Sequence, residues 1–93
     1  MLAQDIVERI RRDFEDPDEA DLALSVLKDF AEKNKEPPSD RVLRGIVFVA
    51  NGDLDRLGQA IDLARIDYRD LIVWAEYDEN RQRVRNLSTS FPS

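Results

Sequence analysis

Apolar residues recur along this chain at helical spacing almost from end to end. Leu2, Ile6, Val7, Ile10 and Phe14 form one stripe and predict a helix over 2–14. Its other side sets Asp5 before Arg9 and Glu8 before Arg12, the i, i+4 order that suits a solvated helix face. Asp16-Pro17-Asp18-Glu19 then reads as a stop and a restart, with Asp16 as N-cap, Pro17 in the first helical position and Glu19 at capping-box spacing. A second helix follows over 17–33, its inward stripe made by Ala20, Ala23, Leu24, Leu27, Phe30 and Ala31.

The double proline in Asn34-Lys35-Glu36-Pro37-Pro38 predicts a loop. Ser39 is placed to cap a third helix over 40–50, which Asn51-Gly52 closes with a left-handed glycine. Asp53 caps a fourth helix with Leu54, Leu57, Ala60, Ile61 and Ala64 inward, and Asp67 caps a fifth over 68–78. The third carries Val42, Leu43, Ile46, Val47, Val49 and Ala50 with Phe48 nearly opposite, leaving only Arg41 and Arg44 pointing to solvent. Gly45 lets a neighbour come close. The fifth has Tyr68, Leu71, Ile72 and Ala75 on its stripe, with Val73, Trp74 and Tyr77 beside or beyond it. Helices apolar nearly all round belong in the middle of a bundle. The expected fold is therefore all-α: a compact five-helix bundle with a short, partly flexible C-terminal tail.

Charge divides the chain at the same place. Residues 1–79 hold all 20 carboxylates against 11 Lys and Arg, a balance of −9, and the last 14 residues return +3 through Arg81, Arg83 and Arg85. This predicts a helical domain over 1–79 and a basic tail over 80–93, extended or loosely docked through Val84, Leu87 and Phe91, with 88–93 frayed. A body of this sign repels phosphates, so nucleic acid is not an expected partner. The third and fourth helices have the outline of a DNA-reading helix-turn-helix, but Asp53, Asp55 and Asp62 on the would-be reading helix argue against it.

The 93 residues include no histidine and no cysteine, which removes the usual neutral-pH base and the strongest nucleophile. Disulfides and thiolate zinc sites go with them. The glycines, isolated at 45, 52 and 58, make no phosphate loop, and the serines have no base to activate them. No enzyme and no cofactor is expected. The opening residues lack the basic and apolar parts of a secretion signal, and the apolar run Gly45 to Ala50 is far short of a membrane span. The expectation is a soluble cytoplasmic protein that binds no membrane.

Two features remain as candidate sites. Asp13, Glu15, Asp16, Asp18, Glu19 and Asp21 set six carboxylates in nine residues. They read first as helix-start acids, secondly as a surface for a basic partner, and last as a metal site or a carboxylate-based enzyme. Trp74, Tyr77 and Val73, with Arg69, Arg81 and Arg83 around them, exceed what one apolar face requires. Burial inside central helices is the first reading of these groups, and a surface for a partner or a second copy is the alternative. The partner-binding candidates are Trp74, Tyr77, Val73, Arg69, Asp16, Asp18 and Glu19. They fit an interaction or regulatory module, inhibitor- or immunity-like, with a structural homodimer as the other reading.

The stretch Asp40 to Leu54, with Ile66-Asp67-Tyr68-Arg69-Asp70 and Trp74-Ala75-Glu76-Tyr77, resembles an uncharacterised family of small acidic all-helical bacterial proteins. The likeness covers about half the chain. It implies a compact helical domain from a bacterium and carries over no activity and no site residue.

Overall fold

The computed structural model describes residues 2–33 and 38–91 of the chain. They form an all-helical fold of four helices: α1 (Gln4–Asp13), α2 (Pro17–Lys33), α3 (Asp40–Ala50) and α4 (Leu54–Glu76). Of the double-proline loop, Asn34 to Pro37 lie outside the described residues. No helix among the described residues is long and apolar enough to cross a membrane.

Four helices replace the expected five because the fourth and fifth run together as α4. The backbone leaves helical geometry at Asp67 alone, with φ −155° and ψ 100°. Asp67 still caps the second half of α4, its Oδ1 accepting from the Arg69 N–H at 3.0 Å. No glycine or proline lies between residues 59 and 91, so nothing prevents the helical ladder from resuming after one residue. The starts of α3 and α4 follow their local chemistry. Ser39 Oγ accepts from Val42 N–H at 3.3 Å, and Asp53 Oδ1 accepts from Asp55 and Arg56 N–H at 2.8 and 3.3 Å.

α3 lies at the centre and packs most extensively on α4. Eight of its eleven residues are buried, as expected of an apolar rod. α1, at ten residues, is shorter than the roughly 12–15 an isolated helix needs in water, so it depends on burying Ile6, Ile10 and Phe14. α2 contributes Ala20, Ala23, Leu27 and Phe30 to the same core, and the first half of α4 contributes Leu57, Ala60 and Ile61. The second half of α4 departs from expectation. Leu71, Ile72 and Ala75 face the core, while Tyr68, Val73 and Trp74 are exposed, so this segment is one-sided rather than central.

After Glu76 the chain turns back on itself. Asp78 Oδ1 accepts from both Asn80 and Gln82 N–H at 2.9 Å, and Tyr77 pairs antiparallel with Arg83. The returning strap lays Leu87 and Phe91 into the core and leaves Val84 exposed. In place of the fray expected over 88–93, Phe91 is buried; Pro92 and Ser93 lie outside the described residues.

Two glycines lie against neighbouring segments, with opposite consequences for a side chain. A Cβ at Gly45 would meet Ala75 Cβ at 3.5 Å, an ordinary contact, so Gly45→Ala is expected to raise stability by about 0.5–1 kcal/mol through helix propensity. Gly52 has φ +79°, and a Cβ there would collide with the Asp13 carbonyl oxygen. Gly52→Ala is expected to lower stability by more than about 1 kcal/mol. Urea denaturation of the two variants checks the opposite signs.

Candidate functional site

Four of the predicted partner-binding residues, Arg69, Val73, Trp74 and Tyr77, fall on the second half of α4 and at its end. They are spaced at i, i+4, i+5 and i+8, and the buried stripe Leu71, Ile72 and Ala75 looks the other way. Val73 is 52% exposed and Trp74 43%. The burial expected first for these groups does not occur at Val73 and Trp74, although α4 packs chiefly on α3. Beside Trp74 lies an open pocket of about 260 Å³, walled by Phe48, Val49, Asn51 and Arg56. Tyr77 is half-buried and Arg69 is exposed. Arg83, expected on the rim, instead turns to Glu76 and Asn86.

The other three candidates, Asp16, Asp18 and Glu19, stand exposed at the start of α2. Asp16 Oδ1 accepts from Asp18 N–H at 2.9 Å, the bond that stabilises a helix start. Asp13 turns away from the cluster to Arg9, at 2.9 Å from its Nε, and Asp21 meets Arg11 at 3.6 Å between two exposed side chains. Such surface pairs contribute about 1 kcal/mol or less. Among the described residues no group of three or more Asp and Glu is arranged to hold a metal ion. The structure thus places the seven candidates in two regions: Arg69, Val73 and Trp74 on α4 with Tyr77 just after it, and Asp18 and Glu19 on α2 with Asp16 just before it.

The polar residues that organise the molecule are others. Arg41 and Arg44 were expected to point to solvent, and Asp5 to pair with Arg9. Instead Arg44 is 6% exposed and holds Asp5 with two bonds, Nε to Oδ2 at 2.9 Å and Nη2 to Oδ1 at 3.2 Å. Arg41 holds Glu76 in the same forked way, at 2.9 and 2.7 Å, and Arg83 adds a bond of 3.0 Å. Glu76 is fully buried. Position 76 follows Ile72 by four residues, on the inward stripe, where a lone carboxylate signals a buried cationic partner. Arg44 likewise precedes Val47 and Phe48 by three and four residues, so it lies between two apolar side chains around α3. Those two conflicts were the signals that local pattern offered.

Both carboxylates also hold the strap. Leu87 N–H donates to Glu76 Oε2 at 3.1 Å, and the Leu87 carbonyl accepts from Arg44 Nη1 at 3.3 Å. Phe91 N–H donates to Asp5 Oδ2 at 3.1 Å. Each buried apolar anchor of the strap is therefore hydrogen-bonded through its own N–H to a paired carboxylate. The Arg41 guanidinium, helped by Leu87 N–H and by the charge of Arg83, holds the Glu76 carboxyl below its usual range against the opposing effect of burial. Arg44 does the same for Asp5, with Phe91 N–H assisting. Saturated in this way, neither carboxylate is free to act as a general acid or base.

Compared with protein-family models, with curated proteins and with solved structures, the chain finds no match in any of the three. The family resemblance rests on the residues quoted for it.

Because both carboxyls titrate lower in the folded chain than in the unfolded one, their stabilisation is complete above the ordinary carboxylate range near pH 4. It is lost as pH falls through the depressed folded values. Glu76→Gln is expected to cost on the order of 3 kcal/mol at pH 7, because Arg41 and Arg83 keep charges that lose their partner. Glu8→Gln, on the exposed side of α1, is expected to stay within about 0.5 kcal/mol. Urea unfolding followed by Trp74 emission at pH 7 and pH 3 tests this: the Glu76→Gln deficit shrinks at the lower pH.

Proposed function

We propose that this chain is a protein–protein interaction module that engages its partner through the outward face of α4. Val73 and Trp74 form the centre of that face, with Arg69 and Tyr77 along it. The observation that carries the reading is the exposure of Trp74 and Val73 on a helix whose opposite face is already packed into a closed core. Tryptophan, tyrosine and arginine are the side chains whose burial dominates interface energetics, and the open pocket beside Trp74 offers an anchor from the partner a place to enter.

The acidic body, with Asp16, Asp18 and Glu19 exposed, favours a basic protein partner, as an inhibitor or immunity-type protein would meet. Opposite charge raises the encounter rate more than the final affinity. Nucleic acid and membrane are not part of this reading, and no catalysis is assigned to the chain: histidine and cysteine are absent. A cysteine-free chain suits a reducing cytoplasm, and the family resemblance implies a bacterial one. A structural homodimer through the same face is the competing assignment.

Capture from bacterial lysate with wild type and Trp74→Ala as paired baits tests the reading, alongside light scattering at micromolar concentration. The expected result is a partner held by wild type whose affinity falls about thirtyfold with Trp74→Ala, the size of an interface anchor. Indistinguishable wild-type and variant baits overturn it. A dimer abolished by the same substitution assigns the face to self-association instead.

A further inference from the structure

The strap forms a second pocket, half-open and of about 330 Å³, against α1 and α3. Its floor is apolar: Phe48 from α3, with Leu87 and Phe91 from the strap. Its polar lining includes two guanidiniums, Arg9 from α1 and Arg85 from the strap, together with the hydroxyl-bearing Thr89 and Ser90. This volume is at the small end of ligand-binding cavities, enough for one ring and a charged head.

Both arginines are held by stacking. The Arg85 guanidinium lies 4.0 Å from the Phe48 ring centroid, and the Arg9 guanidinium 4.9 Å from that of Phe91. Stacking engages the flat face of a guanidinium and leaves its in-plane N–H donors usable. Arg85 Nη1 donates to the Ala75 carbonyl, and Arg9 Nε donates to Asp13. Among the described residues Arg9 has a carboxylate partner and Arg85 has none within ion-pair distance. Among the described residues Arg85 is thus a half-buried cation held by a ring and a carbonyl at the end of α4 rather than by a carboxylate, in a chain of net charge −6.

We propose that this pocket binds a small organic anion, an aromatic or aliphatic carboxylate or phosphate monoester. Its apolar body rests on Phe48, Leu87 and Phe91, and its charged head meets Arg85, with Arg9 second. A guanidinium matches the two oxygens of either head in a planar fork, which an ammonium does not. The carboxylates bonded to the lining residues are already paired, Asp13 with Arg9, Asp5 with Arg44 and Glu76 with Arg41 and Arg83, and exposed charges more than about 8–10 Å away are screened at physiological salt. The inference is independent of the α4 face. It also links ligand to strap: most of the wall is strap, so occupancy favours the docked strap by mass action.

The test uses the full chain, titrated with benzoate, phenyl phosphate, inorganic phosphate and benzyl alcohol and followed by the backbone amide NMR shifts of residues 85–91. Saturable shifts with benzoate or phenyl phosphate are expected, and the stronger of the two identifies the head group. Arg85→Gln is expected to weaken that binding about tenfold or more, as loss of a charge-assisted hydrogen bond does. Arg81→Gln, the same charge change on the strap but outside the pocket, is expected to alter it less than about twofold. Circular dichroism shows whether Arg85→Gln keeps its helices. If it does not, Arg85→Lys takes its place, with a several-fold loss expected. The proposal is overturned by the absence of saturation up to about 10 mM ligand, well beyond useful small-ligand affinity. Equal weakening by Arg85→Gln and Arg81→Gln, or equal binding of benzyl alcohol or of inorganic phosphate, overturns it too.

Discussion

Two carboxylates inside the molecule, Asp5 of α1 and Glu76 at the end of α4, hold together segments far apart in sequence. Each is gripped by an arginine of α3, and each accepts an N–H from the strap. Removing a carboxylate from water costs several kcal/mol, and only near-complete hydrogen bonding offsets that cost. Glu76 meets the requirement with bonds from Arg41, Arg83 and Leu87; Asp5 meets it with Arg44 and Phe91. Among the described residues no buried side-chain nitrogen or oxygen is left without a partner. The arrangement is thus all or nothing, since losing the strap would leave both carboxylates and Arg44 short of partners.

This constraint shapes the rest of the surface. With the strap anchored over α1 and α3, the outward side of α4 is left uncovered, and Trp74 stands there beside Val73. The same anchoring sets Arg85 over Phe48 and Arg9 over Phe91, so the cationic pocket exists only while the strap is in place. Phe48 borders both features, as part of the pocket beside Trp74 and as part of the floor under the strap. The off-stripe aromatic of α3 thus packs on the edge of the core, between these two features.

Much of the helical framework was legible along the chain because its cues are local. The cap at Ser39, the stop at Asn51-Gly52, the cap at Asp53 and the bond from Asp67 each involve residues within a few positions of one another. Stripes such as Ala20, Ala23, Leu27 and Phe30 were equally readable, since one helical period places them on one face. The count of five failed at Asp67 for a related reason: a capping side chain marks a start, but only a breaker such as proline or glycine compels a full separation. The apolar character of residues 68–77 misled in a different way. Composition says how much apolar surface a helix carries, not whether a neighbour arrives to cover it.

By itself, the sequence determined the helical class, the inward faces and the ends of most helices, and the absence of histidine and thiol chemistry, because each depends on residues close in the chain or on residues simply missing. Tertiary structure alone decided that Arg41 and Arg44 turn inward, that Glu76 is buried and that Phe91 returns to α1. Those outcomes join residues 35 to 86 positions apart. An arginine looks solvated in any local window. It becomes a buried clasp only when folding brings a carboxylate and a peptide N–H to the same place.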